Sequence, residues 1–203
     1  MSGITVCEAR RSDLSSLSTI VARSFHPVNP YIKQAFPDTP KLREWWSRIF
    51  EDEMRNDSCR VLIALDSNTD IIVGILTLRL LGPDDRGAGF WTAYPSTEDH
   101  DHEKTTSMIE VMVEARERLM FGRPHYLIEL FGADHGHKGR GVGTKLLARA
   151  CEIADQAGHD VFVQANASAM GFYTRLSFEC EGEAVMPGEA KYSEYMMVRR
   201  YKW

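Results

Sequence analysis

Cysteine is scarce in this chain. Its four copies, Cys7, Cys59, Cys151 and Cys180, stand far apart, with no CxxC pair and no close Cys–His spacing. That argues against a zinc site built on them, leaves no metal expected, and favours a reduced, cytoplasmic compartment. Long apolar runs are missing too. The longest, Ile71 to Leu81, is interrupted by Thr77 and Arg79 and is too short to cross a bilayer, so no membrane partner is expected. The first residues, MSGITVCEARRSD, lack the apolar stretch of a secretory signal. Positive charge is in deficit: 24 Lys and Arg against 29 Asp and Glu give a net −5. A chain that grips nucleic acid wants a basic face, so nucleic acid is not the expected partner; a basic small molecule remains compatible. Internal repeats, low-complexity tracts and a clear linker are absent as well, and 203 residues suit one domain spanning 1–203.

What is present is ordinary globular composition, 43% hydrophobic and 26% charged. Periodicity predicts a strand at Ile4–Glu8, then a helix capped by Ser12 or Asp13. His26 to Pro40 reads as irregular or broken helix, and 41–56 as a helix. Strands at Cys59–Leu65 and Ile71–Leu81 flank a polar turn and form a hairpin. Gly82 to Thr106 reads as a long irregular segment, of the kind that is usually functional. A helix follows at 107–121, whose stripe of Met108, Ile109, Met112, Val113, Leu119 and Met120 reads as core. Then come a strand (Tyr126–Ala133), a helix (Gly141–Ala157), a strand (Val161–Ala165), a short helix (168–176) and a closing antiparallel pair (178–185 and 194–201). The order is mixed α/β.

The richest segment is YLIELFGADHGHKGRGVGT, Tyr126 to Thr144. An apolar strand runs through a polar turn into glycines 139, 141 and 143 and then a helix. A bare helix start offers unpaired N–H groups and the positive end of the dipole, which suits pyrophosphate. The P-loop pattern fails, because Val142 rather than lysine follows Gly141. The dinucleotide fingerprint fails, because Gly143 comes one residue too early and a single βαβ unit is visible. Asp160 stands near a ribose-binding position but reads better as the start of the next strand.

A third scheme fits. Lys138-Gly-Arg-Gly-Val-Gly143 resembles the Q/R-x-x-G-x-G/A loop of the GCN5-related N-acetyltransferases (GNAT). Phe172-Tyr-Thr-Arg-Leu-Ser-Phe178 is similar to that family's "FYxxLGF" phrase, in the expected order and separation. Lys138 replaces Gln or Arg, Ser177 replaces a common glycine, and His135 stands where many relatives have proline. The likeness is specific from about Tyr126 to Phe178. It implies a GNAT fold: a central mixed, mostly antiparallel twisted sheet flanked by helices. It implies acetyl-coenzyme A as cofactor, held by Lys138, Gly139, Arg140, Gly141, Val142, Gly143 and Thr144 at the pyrophosphate. Leu130, Phe131, Gly132 and Ala133 would meet the pantetheine where two core strands splay apart, with Asn166 and Phe172 alongside. An amide near Leu130 to Gly132 would polarise the thioester carbonyl, and Tyr173 would protonate the departing thiolate.

Glu129, an acid inside Leu127-Ile-Glu-Leu-Phe131, is a base candidate whose pKa burial would raise. A salt-bridged or half-exposed structural carboxylate is the equal alternative, with a water relay as base. The resemblance thus implies an N-acetyltransferase acting on the primary amine of a small molecule or peptide, as a monomer or homodimer. A non-catalytic acyl-coenzyme A sensor on the same fold is the alternative; a nucleotide-dependent oxidoreductase fits the glycine spacing poorly.

For the acceptor pocket, Tyr31, Trp91 and Tyr94 are the candidates, with Phe36, Trp45 and Trp46 near by or in the core. Asp84, Asp85, Glu98, Asp99, Asp101 and Glu103, interleaved with Phe90, make the long loop acidic, which reads mainly as solvation. His100, His102, His135 and His137 read as solvated loop residues.

Overall fold

The computed structural model describes residues 3–83, 85, 91, 93–186 and 192–202. Strand β1 (Ile4–Glu8) leads through a 3-10 turn (Arg11–Asp13) into α1 (Leu14–Phe25). Asp13 does not cap α1; its Oδ2 reaches back to the Arg10 N–H at 2.7 Å and closes the turn before the helix. The proline-rich stretch contains a short helix, α2 (Pro30–Ala35), started by the Asn29 side chain and by proline at its first position. The same device, Thr39 then Pro40, opens α3 (Pro40–Arg55). Strands β2 (Cys59–Asp66) and β3 (Ile71–Leu81) form the expected hairpin.

The irregular stretch after β3 ends sooner than expected. Asp101 accepts from the Lys104 N–H (3.1 Å), so α4 (His102–Met120) starts five residues before Ser107. Of the residues expected there, Asp84 and Phe90 lie outside the described ones. Then follow β4 (His125–Ala133), α5 (Val142–Ala157) and β5 (Asp160–Asn166). The predicted helix at 168–176 is a 3-10 turn (Ala167–Ala169) and a short α6 (Met170–Thr174). Strands β6 (Glu179–Val185) and β7 (Ser193–Arg199) close the chain.

The seven strands form one sheet in the order β1-β2-β3-β4-β5-β7-β6. Among the described residues only β4 and β5 run parallel, joined by the α5 crossover, and the other neighbour pairs are antiparallel. One face carries α1, α3 and α4, with Leu17, Ile20, Trp46, Ile49 and Phe50 packed on Val61, Ile63, Ile75 and Phe162. The other face carries α5, with Leu146, Leu147 and Ala150 on Leu76, Leu78 and Val163. Each such side chain contributes on the order of 1.5–3 kcal/mol by leaving water. The methionine stripe is core at Met108 and Met120, as expected. Among the described residues no helix is long and apolar enough to cross a membrane.

Candidate functional site

The site begins where the parallel pair fails. Pairing of β4 with β5 runs from His125↔Asp160 to Ile128↔Val163 and stops, although the strands continue to Ala133 and Asn166. A bulge marks the divergence. Leu78 pairs with Ile128 and Thr77 with Leu130, so Glu129 is the extra residue. Leu127 and Leu130 consequently reach one face, and Ile128 and Phe131 the other. The Leu130 N–H donates to Thr77 Oγ1 (3.1 Å) and the Asp134 N–H to the Val73 carbonyl (2.9 Å), both toward β3. Amides alternate along a strand, so those of Phe131 and Ala133 turn to the other edge, into the gap. Of the expected donors, then, Leu130 is committed elsewhere. Gly132 serves close packing: a methyl there would lie 2.7 Å from Ser24 Cβ of α1.

Beyond β4, Asp134 Oδ1 accepts from the Gly136 N–H (2.9 Å), shaping a 3-10 turn at His135–His137. Gly139 and Gly141 follow with φ of 81° and 79°, the left-handed region that glycine enters without strain. Gly141 is the N-cap of α5 and brings no side-chain cap. Its carbonyl accepts from the Lys145 N–H (3.1 Å). The amides of Val142, Gly143 and Thr144 therefore stand ahead of the first intrahelical bond, at the positive end of the dipole. The N–H groups of Lys138 and Arg140 bend back to the His135 and His137 carbonyls, at 3.3 and 3.4 Å. Within the expected stretch 138–144, the Lys138 and Arg140 amides are thus engaged inside the loop itself.

Its side chains face elsewhere. Arg140 Nη1 bonds Asp66 Oδ2 at 2.6 Å, and that bond holds Asp66 below the usual carboxylate range. Lys145 Nζ bonds the Ile4 carbonyl at 2.6 Å. Val142 is buried. A methyl on Gly74 would meet its Cγ1 at 2.6 Å, so strand and loop touch directly. Phe172 lies 5.9 Å from the Phe131 ring and against Gly143. Main-chain donors at a helix start beside an open strand edge suit a pyrophosphate with an amide-bearing arm.

The gap opens into a cleft continuous with solvent. Phe36, Trp46, Trp91, Met108 and Met112 line one part; Glu129, Gln164, Tyr173, Tyr192 and Glu194 supply its polar groups. Tyr173 is buried, its ring set edge-on to Phe131, Phe172 and Phe178. Burial, and then the Glu194 charge, push its pKa upward, so it keeps its proton at neutral pH. Asn166 lines the cleft, but its Oδ1 caps the turn before α6, accepting from the Ala169 N–H at 3.1 Å.

Glu129 has the ion-pair partner that the structural alternative called for. It lines the cleft and is also salt-bridged: Arg79 Nε and Nη2 each lie 2.8 Å from its Oε2. Burial raises its pKa while Arg79 opposes the rise. Glu194 escaped the sequence reading, where it was one residue of a closing strand. It is buried against neutral partners; Tyr192 Oη donates to its Oε1, and Asn29 Nδ2 donates to Tyr192 Oη at 2.7 Å. Burial pushes the Glu194 carboxyl up to about 7, with the tyrosine bond pulling the other way.

Of the expected acceptor residues, Trp91 lines the cleft. Tyr31 does not: its ring stacks behind Tyr192 at 5.0 Å and its hydroxyl donates to the Lys104 carbonyl. Tyr94 bonds Asp52 and packs on Trp45, outside the cleft. His100 is not solvated. It is buried between Phe36 and Trp45, 4.8 Å from the Trp45 ring, and burial lowers its pKa. Met112, expected in the core, reaches the cleft. Among the described residues no group of three His, Cys, Asp or Glu comes together as a metal site.

The profile of the Acetyltransferase (GNAT) family matches residues 22–178. No curated protein matches the chain. Among solved structures, the apo form of an agmatine N-acetyltransferase mutant superposes with a TM-score of 0.70 at 15% identity, covering 97% of this chain and 98% of its own. A mosquito arylalkylamine N-acetyltransferase-like 5b gives 0.67 at 15% identity, covering 97% and 99%. A histone acetyltransferase HPA2 and related acetyltransferase from Corynebacterium glutamicum gives 0.64 at 19%, covering 100% and 98%. At such identities these likenesses establish the fold.

Proposed function

The chain belongs to the acetyltransferase (GNAT) family, and on that premise we propose that it is an acetyl-coenzyme A-dependent N-acetyltransferase whose acceptor is a primary amine on an apolar body. The observation that carries this reading is the abandoned β4–β5 pairing beside a bare helix start. Acetyl-coenzyme A, when bound, supplies an activated acetyl group. The amides of Val142, Gly143 and Thr144 hold its diphosphate, with Gly139 and Gly141 giving the loop its path. The amides of Phe131 and Ala133 take the arm and polarise the acyl carbonyl. Arg140 braces the loop through Asp66, while the exposed Lys138 adds positive charge beside the diphosphate. Tyr173, kept protonated by burial, gives its proton to the leaving sulfur.

The apolar wall selects the acceptor. Phe36, Trp46, Trp91, Met108 and Met112 offer contact area to an aromatic or alkyl group and little to a polycation's spare charges. Direct attack by the amine needs a proton acceptor in the same cleft, where Glu129 and Glu194 both stand. Titration calorimetry with acetyl-coenzyme A, followed by thiol release across a panel of amines, tests the proposal. Binding with transfer to arylalkyl or alkyl amines is the expected result. Binding without transfer to any amine would favour a sensor on the same fold, and no binding would remove the reading. Tyr173→Phe should lower turnover at least 100-fold, on the order of acid catalysis, while cofactor affinity stays within about twofold.

A further inference from the structure

We infer that Glu194, held by Tyr192 and Asn29, takes the proton from the acceptor's ammonium nitrogen, and that Glu129 does not; the assignment rests on the acetyl-transfer reading. Two carboxylates line the cleft, and their partners differ in kind. Glu129 faces a guanidinium: two Arg79 nitrogens lie 2.8 Å from its Oε2, and both side chains are nearly closed to solvent, 11% and 8% exposed. A proton placed on Glu129 would cancel that ion pair and leave the Arg79 charge buried beside a neutral acid, which is costly. Glu194 has no such penalty. Its Oε1 accepts from the Tyr192 hydroxyl, a neutral donor. Protonation replaces a buried anion by a neutral acid and strands no counter-charge.

The support behind Glu194 is built rather than incidental. Asn29 is buried and held twice: its Oδ1 accepts from the Ile32 N–H at 3.1 Å while its Nδ2 donates to Tyr192 Oη at 2.7 Å. The Tyr192 ring is stacked on Tyr31 at 5.0 Å and 15°. With Asn29 donating to it, the tyrosine oxygen is obliged to direct its own hydrogen at Glu194. Strand register sets Glu194 opposite Asn166, the residue that caps the turn into α6, and Tyr173 stands on that helix. The proposed acid and base therefore share one end of the cleft.

Among the described residues, the groups placed against Glu194 are Tyr192 from the segment before β7, Tyr173 from α6 and Asn166 from β5, with Asn29 behind Tyr192, none of them charged at neutral pH. Glu129 lines the cleft elsewhere, with its carboxylate on Arg79. A carboxyl pushed by burial up to about 7 is ionised at mildly alkaline pH and takes a proton readily. The ammonium gives one proton to Glu194; the C–N bond forms as the C–S bond breaks; the nitrogen's second proton replaces, through water, the one Tyr173 gives to sulfur. Glu194 returns its proton to solvent after the product leaves.

The test is the pH profile of kcat/KM for the best amine, with acetyl-coenzyme A affinity measured beside it. The natural protein should lose activity on the acid side with a midpoint near 7. Glu194→Gln should lower kcat/KM by about 100-fold and abolish that limb, with cofactor affinity unchanged. Glu129→Gln should keep the limb. Tyr192→Phe removes a donor from the ionised form, so its limb should move to higher pH. A limb that survives in Glu194→Gln, or one unmoved in Tyr192→Phe, overturns the assignment while leaving acetyl transfer intact. A natural protein that transfers acetyl to no amine overturns the function and this assignment together.

Discussion

Glu53 departs from an ordinary surface carboxylate because the fold buries it. It lies on the inner side of α3 with both carboxyl oxygens buried and, among the described residues, no hydrogen-bond partner. Burial, then the Glu129 charge, raises its pKa well above the ordinary carboxylate value, against the pull of Arg79. A folded state that holds a proton more tightly than the unfolded chain is favoured at low pH. As pH rises above the ordinary carboxylate range the unfolded chain sheds that proton first, so the contribution falls. Glu53→Gln, which stays neutral, should therefore melt higher than the natural protein at pH 8 and at about the same temperature at pH 4.5; thermal melts across that range check it. In the sequence Glu53 is one letter of Glu51-Asp-Glu on an amphipathic helix, where acids normally face water. Glu129 was legible because its neighbours are all apolar. Glu194 was not, since one acid in an alternating strand reads as the wet face. His100 misled in the same way, its acidic neighbours suggesting solvent where Trp45 and Phe36 cover it.

At the scale of elements, the contact between β3 and α5 carries the next expectation. Gly74 leaves room for Val142 and Leu146, whose carbons would stand 2.6 and 2.9 Å from an added methyl. Gly74→Ala must push the first turn of α5 off the sheet. It should cost about 1–3 kcal/mol of stability and weaken acetyl-coenzyme A binding in parallel; denaturant melts and calorimetry measure both. A stability loss with unchanged affinity would mean that the loop moves independently of its strand. Elements were the legible level. The β2–β3 hairpin and the strand–loop–helix unit follow from letters a few places apart. The bulge at Glu129 was not legible, because it arises from pairing with Thr77 and Leu78, some fifty residues distant. The early start of α4 hinged on Asp101, hidden among other acids.

Across the whole molecule, β1 to β4 and β5 to β7 form two half-sheets joined edge to edge by the register from His125↔Asp160 to Ile128↔Val163. A ligand wedged between the strand ends would fasten the halves and bind the folded state alone. Saturating acetyl-coenzyme A at 100 times its Kd should add about 2.7 kcal/mol of stability, read as a rise in Tm that free adenine nucleotide at the same concentration matches only in part. The joint also relates the architecture to the motifs read in the sequence, because the glycine loop follows directly from the strand that leaves the pairing. That the loop turns Arg140 toward Asp66 and Lys145 toward Ile4 has a further consequence. A grip made by peptide groups is blind to spelling. Such a loop can change its other letters so long as Gly139 and Gly141 keep their left-handed corners, so what its spelling must preserve narrows to two glycines ahead of a helix.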